Sequence, residues 1–286
     1  MKYFLLSLLL LVSGYHLLAQ DRQDSIAIAQ IQWQDKTIKR GIVWRQAHFN
    51  QLFNSQQEIN LIAIDLNNKA VKLGLEGFAD TLFLMSEIAK ATHATVAING
   101  AFFDTKNGGG VTLLKKDGTI INRTTMFDKK GKPTERSNGA LILDGKRTTI
   151  INADPANMLW DEQLKAKNML VCGPVLISKN HLVNLEKNAF NDNRHPRSAI
   201  AISTNNKLLL ITADGRNAQA QGMNLHELAF FLKVYGAKDA LNLDGGGSTT
   251  LYVKGQGTSG VVNYPSDNKL FDHQGERKVA NILLVY

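Results

Sequence analysis

The sequence holds a single cysteine, Cys172, so no disulfide can form within the chain and the core must hold by packing alone. Cys172 lies in the apolar run Asn168–Ile177, where it reads as a buried small hydrophobe rather than a nucleophile. A reactive thiol needs an electropositive, partly exposed setting. Prolines number five against 23 glycines, which favours a strand-rich fold with many tight turns, and no low-complexity stretch marks a linker. Beyond the first twenty residues, no apolar run approaches the length of a membrane helix. Lys and Arg exceed Asp and Glu by 33 to 25, yet no basic run is longer than Lys115-Lys116 or Lys129-Lys130. That scatter speaks against a nucleic-acid partner, while a net charge of +8 suits an anionic substrate or surface. Several common motifs are also missing. There is no Gly-Lys-Ser/Thr phosphate loop and no Gly-x-Ser-x-Gly elbow, and His226-Glu227 lacks the second histidine of a zinc-protease helix. Gly255-Gln-Gly257-Thr-Ser-Gly260 has the letters of a dinucleotide fingerprint, but Val261–Pro265 cannot open the helix it requires, so it reads as a turn.

Turning to what is there, Lys2, the apolar run Tyr3–Val12 and the more polar stretch to Ala19-Gln20 have the layout of a secretory signal peptide. Residues 1–20 are therefore expected to be removed, leaving 21–286 as one secreted or periplasmic domain with no stable membrane insertion. Short apolar runs bounded by Gly, Asn or Asp predict strands over Ile59–Leu66, Thr95–Ile98, Gly110–Leu114, Ala140–Leu143, Met169–Ile177, Ser198–Ser203, Lys207–Thr212, Ala240–Leu243, Thr249–Val253 and Val279–Val285. Helical spacing occurs twice. Leu82, Met85, Ile88 and Ala89 share one face, with Asp80 or Thr81 placed to cap. Leu225, Leu228, Ala229, Leu232 and Tyr235 share another, with an Asn224/Glu227 capping box and Gly236 as the stop. The pattern predicts a single α+β, strand-rich domain whose mixed or antiparallel sheet core carries a few packed helices.

Four turns at strand ends carry the polar groups from which a site could be built. In Leu241-Asn242-Leu243-Asp244-Gly245-Gly246-Gly247-Ser248-Thr249, three glycines permit close backbone approach and present successive N–H groups suited to anionic oxygens. Asp244 at its start can accept a proton or stabilise positive charge. Asp214-Gly215-Arg216 pairs a carboxylate with a guanidinium. Arg194-His195-Pro196-Arg197 offers two arginines for bidentate capture of phosphate or carboxylate, with His195 held extended by Pro196. Asn99-Gly100-Ala101-Phe102-Phe103 ends a buried strand in an amide that needs partners, and its phenylalanines either wall a sugar or fill core.

Together with Cys172-Gly-Pro174, Gln221–Leu228, Asn263-Tyr-Pro-Ser266 and Glu276-Arg277, these stretches resemble, in order and spacing, the phosphodiester glycosidase family, over about Ile59 to Val285. The resemblance implies a hydrolase that cleaves the bond between a sugar's anomeric carbon and phosphate, acting on N-acetylglucosamine or a related glycan. Such cleavage develops positive charge on the sugar and negative charge on the phosphate, so it needs carboxylates and cations together. Asp244 first, then Asp214 and Glu276, are the candidate catalytic carboxylates, with His195 a candidate donor. Asn99, Gly100, Phe103, Arg194, Arg197, Arg216, Asn242, Gly245, Gly246, Gly247 and Ser248 are candidate substrate contacts. No cofactor is demanded; a divalent cation bridging Asp214 and Asp244 is compatible with the sequence, but no ligand spacing requires it. Two departures stand out: Ala101 where the family has glycine, and a longer loop over Asn268–Gly275. Two rival readings share the same residues, a non-catalytic envelope-associated binder of anionic glycans and a hydrolase of another phosphodiester.

Overall fold

The computed structural model describes residues 22–145 and 147–286; the expected signal peptide, residues 1–20, lies outside them. After a helix α1 over residues 22–29, the described chain forms three sheets in which every strand pair is antiparallel. The first has eight strands in the order β1 (Gln34–Lys39), β2 (Ile42–Leu52), β3 (Ser55–Asp65), β14 (Lys207–Ala213), β13 (Arg197–Ser203), β15 (Ala237–Asn242), β11 (Val175–Ser178) and β12 (His181–Leu182). The second runs β7 (Thr119–Asn122), β6 (Leu114–Lys116), β10 (Asn168–Cys172), β8 (Gly139–Asp144) and β9 (Arg147–Asn152). The third runs β16 (Leu251–Val253), β5 (Val96–Asn99), β17 (Asn281–Val285) and β4 (Leu73–Gly77). Four further helices are α2 (Met85–Ala91), α3 (Trp160–Gln163), α4 (Ala189–Asp192) and α5 (Leu225–Val234).

Side chains alternate across the first sheet and so divide it into two faces. Ile62, Ile64, Ile200, Leu208, Leu210 and Leu241 join Ile98, Leu283, Leu114 and Leu170 of the other two sheets in the main core. On the opposite face Ile59, Leu61, Ala199 and Leu209 bury the apolar side of α5 through Leu225, Leu228 and Leu232. That helix begins with the expected capping box, Asn224 and Glu227 each satisfying the other's main chain. At one end of the core-facing side the same alternation delivers Glu58, Asn60, Ser198, Thr212 and Asp214 in place of aliphatics, all buried. The candidate site residues Asn99 and Asp214 lie at this polar end.

Local geometry corrects the sequence reading in three places. Met169–Ile177 is two strands in different sheets, separated at the cis Gly173-Pro174 bond. Of Gly110–Leu114, only Leu114 enters a strand, while Gly110 makes an isolated bridge to Phe103. Neither Asp80 nor Thr81 caps α2, whose N-cap is Leu84. Instead the Glu276 carboxylate, from 190 residues away, accepts the Ser86 N–H at 2.8 Å and the Ser86 hydroxyl at 2.6 Å. The Gly255–Gly260 stretch is indeed a turn, with Gly255, Gly257 and Gly260 at φ of +74°, +53° and +88°.

Candidate active site

Asn99, the last residue of β5, is fully buried and knots three segments together. Its Nδ2 donates to the Asp244 carbonyl at 2.7 Å, and its Oδ1 accepts the Ser198 hydroxyl at 2.6 Å and the Thr250 N–H at 3.2 Å. Gly100 follows, accepting the Asp244 N–H on its carbonyl at 3.0 Å. A Cβ at Gly100 would lie 2.1 Å from Asn281 Oδ1, so only glycine lets β5 and β17 approach this closely.

Of the three glycines after Asp244, two already have their N–H groups engaged within the fold. The Gly245 N–H is taken by Asp244 Oδ1 at 2.9 Å and the Gly246 N–H by the Pro196 carbonyl at 2.8 Å. What the missing side chains admit is arginine. A Cβ at Gly246, where φ is +61°, would lie 2.9 Å from Arg216 Nη2. One at Gly247 would lie 2.5 Å from Arg277 Nη2, whereas one at Gly245 would meet the Pro196 carbonyl at 2.7 Å. Arg136 completes the set: it lies over Phe190 at 4.2 Å, with Arg197 5.1 Å from the same ring. Arg216 and Arg277 thus line the turn directly, while Arg136 and Arg197 act on Asp244 by charge from other segments.

Within this cationic field sits the Asp244 carboxyl. Burial pushes it up to about 6, against the pull of the Ser248 hydroxyl, the Gly245 N–H, Arg277 and Arg136 toward the ionised form. Arg197 is itself buried, and desolvation lowers its guanidinium to about 10, which leaves it charged at neutral pH. Its Nε donates to the Met223 carbonyl at 2.9 Å and its Nη2 to the Phe190 and Asn193 carbonyls at 2.7 and 2.8 Å. Its fork is therefore largely spent on the main chain, and its contribution at the turn is charge. His195 is held below its ordinary range by burial and by Arg197 and Arg216, so it is neutral at pH 7.

Asp214 is near the turn but sealed, with no exposed surface. Its Oδ1 accepts Asn263 Nδ2 at 2.8 Å and its carboxyl takes the Tyr264 N–H, whereas its Oδ2 is buried without a partner. Desolvation, with Glu58 adding to it, raises this carboxyl to about 7. Asp214 thus anchors the start of the longer loop, while Asp267 holds Arg277 at its end through an ion pair and Nε at 2.9 Å.

Four expected site residues lie elsewhere. Glu276 is engaged at α2. Arg194 faces Glu227, its Nε 3.1 and 3.0 Å from the two carboxylate oxygens. Asn242 shares its face with Ala240, away from Leu241 and Leu243, and donates to the Gly173 and Leu243 carbonyls. Phe103 packs on the small cluster around Phe83 and Met85. Conversely, Arg136, Arg277, Asn263 and Phe190 went unselected. Arg277 could have been found, since it closes one of the quoted motifs; Arg136 sits in a charged loop that carries no pattern.

Comparison with known proteins sets this geometry in context. The sequence profile of phosphodiester glycosidases matches residues 92–286. N-Acetylglucosamine-1-phosphodiester alpha-N-acetylglucosaminidase of Mus musculus is 26% identical over 191 residues, 64% of this chain and 36% of that protein. The Homo sapiens protein of the same name is also 26% identical, over 208 residues. The chain thus spans about a third of the length of these relatives. The uncharacterized SPbeta prophage-derived protein YomE of Bacillus subtilis is 26% identical over 68% of the chain. The zebrafish catalytic domain of the same glucosaminidase, auto-inhibited by its pro-peptide, superposes with a TM-score of 0.66 at 19% identity, over 89% of this chain and 87% of that one. With the profile covering more than half of its length, the chain belongs to the phosphodiester glycosidase family.

Proposed function

We propose that this protein is an exported hydrolase that cleaves the bond between the anomeric carbon of a sugar and the phosphate of a sugar-1-phosphodiester, with N-acetylglucosamine or a related sugar as the glycone. The carrying observation is Asp244, a partly exposed residue at the start of the glycine turn whose carboxyl feels the charges of Arg136, Arg197 and Arg277, with Arg216 against Gly246 beside it. A phosphate monoester is a good leaving group, so cations that stabilise its charge matter more than a strong general acid. The guanidiniums of Arg216 and Arg277 lie against the turn and would hold that phosphate, with Arg136 and Arg197 reinforcing the field. Asp244, ionised above about pH 6, would face the sugar and stabilise its oxocarbenium-like centre or activate water. Asp214 is enclosed and Glu276 occupied, so the sugar side rests on Asp244 alone among the three candidates. A cavity of about 420 Å³ lies on the outer side of Arg136 and Phe190, lined also by Glu135 and Asn188. The names of the mammalian relatives, N-acetylglucosamine-1-phosphodiester alpha-N-acetylglucosaminidases, support this reading.

The test is incubation of the purified chain with a panel of sugar-1-phosphodiesters, products being identified by mass. Release of a free sugar and an intact phosphate monoester is expected. A protein that binds the diesters but turns over none would instead be the anionic-glycan binder, and cleavage on the other side of phosphorus would make it a different phosphodiesterase. Export is tested separately: protein recovered from its native cell should begin at Gln20 or Asp21.

A further inference from the structure

Three neighbouring strands of the first sheet carry a row of titratable side chains that the proposed chemistry leaves unused. His48 on β2 lies directly opposite Glu58 on β3, with Nδ1 3.1 Å from Glu58 Oε2. The next pair in register is Ile59 with Ala213, and the Asp214 N–H donates to the Glu58 carbonyl at 2.9 Å, so Glu58 and Asp214 are cross-strand neighbours. Both side chains fall on the core-facing side, where cross-strand neighbours stand about 5 Å apart. The row runs inward from solvent: the side chains of His48 and Glu58 are 41% and 9% exposed, and Asp214 has no exposure at all. The other titratable groups directed at the row are His273 and Tyr264, both from the 263–277 loop, and Gln46 donates to Glu58 Oε1 at 3.0 Å.

Two buried carboxyl groups this close do not both ionise without cost. With no surface of its own, Asp214 cannot touch substrate; it acts through Asn263 Nδ2 and the Tyr264 N–H, where the loop begins. An ionised carboxylate is the stronger acceptor for both donors. We propose that Glu58 and His48 are positioning residues: with Asp214 they form a cross-strand row that shares protons between two buried carboxyl groups and thereby fixes the 263–277 loop that sets Arg277 against the glycine turn. Glu58, when charged, delays ionisation of Asp214, and His48 at the mouth of the row sets how long Glu58 keeps its charge. The inference rests on the proposed hydrolysis only in assigning Arg277 to phosphate capture.

Tyr264 reports on the loop directly, since its ring is stacked between 4.0 and 4.5 Å from those of Phe271 and His273, which shifts its aromatic NMR resonances. In the full chain these resonances should titrate with a midpoint near that of Asp214, about 7. Glu58→Gln, which keeps the shape and removes the charge, should move the midpoint down by roughly one unit. Glu58→Asp, which keeps the charge, should leave it near the wild-type value. His48→Gln at the exposed end should shift it downward as well, and provides the test if Glu58→Gln does not fold. A midpoint unmoved by the neutral substitutions overturns the row. In turnover, Glu58→Gln should move the pH dependence of KM by the same amount while kcat at pH 8 stays at the wild-type level; an equal loss of kcat at every pH would mark Glu58 as merely structural. If no phosphodiester is hydrolysed, the functional reading fails while the Tyr264 midpoint still decides this one.

Discussion

At the scale of single residues, Asp244 and Asp214 are alike in type and opposite in situation. Asp244 is partly exposed at the start of the turn, and its carboxyl at about 6 is ionised over most of the neutral range. Asp244→Asn keeps size and hydrogen bonding but removes the charge, so turnover should fall by roughly two to four orders of magnitude with little change in melting temperature. Because the ionised form does the work, wild-type kcat should rise with pH through about 6 and level off above it, a limb that Asp244→Asn loses. Undiminished hydrolysis by that variant would mean the wrong carboxylate has been named. Asp214 bears on stability instead. Its carboxyl is raised from 3.8 to about 7, so between those values the folded state binds more protons than the unfolded one. Its contribution to stability must therefore decline as pH rises through that window. Asp214→Asn removes the effect, and its melting temperature should fall less than that of the wild type between pH 4 and pH 8. Thermal melts across that range check the sign.

At the scale of elements, the glycines of β5 and of the arginine-lined turn make different demands. At Gly100 the obstacle is the Asn281 side chain and main chain of an adjacent strand, which cannot yield. Gly100→Ala should cost about 1–3 kcal/mol of stability by overpacking, measured by denaturant unfolding. At Gly247 the obstacle is the far end of Arg277 and its partner Asp267, which can swing aside. Gly247→Ala should therefore raise KM for phosphodiesters while leaving the unfolding midpoint nearly in place. Helix α2 supplies a third contrast. Glu276→Ala strips the start of that helix and should cost about 1 kcal/mol, while Glu276→Gln still accepts from Ser86 and should keep nearly full turnover. Strands were legible in the sequence where both faces are buried, as in β13 and β14, since an unbroken apolar run bounded by turn residues has few other readings. The outer hairpin was not. β1 reads Gln-Asp-Lys-Thr-Ile-Lys and is exposed along nearly its whole length, so its pairing with β2 leaves no hydrophobic trace. The turn motifs supplied the groups the fold gathers, but their surroundings depend on where the strand ends and the turn begins, β15 stopping at Asn242. Asn242 and Asp244 are two residues apart and share the glycine motif, yet Asn242 donates toward Gly173 and Asp244 faces the arginines.

On the scale of the whole molecule, the site belongs to no single sheet. β5 brings Asn99, the first sheet brings Arg197 and Asp214, and the loops bring Arg136, Arg216 and Arg277. The third sheet completes this arrangement through β17, which lies between β5 and β4 and is the last strand in the sequence. Its Asn281 holds the Gly100 and Ala101 N–H groups at 2.9 and 2.6 Å. A protein made from its N terminus therefore presents β5 and β4 long before the strand that joins them exists. Until residues 281–285 emerge, β5 has only β16 beside it and β4 has no partner in this sheet. The third sheet thus closes only across a long sequence separation, its central strand β17 joining after β5, β4 and β16 are already in place along the chain.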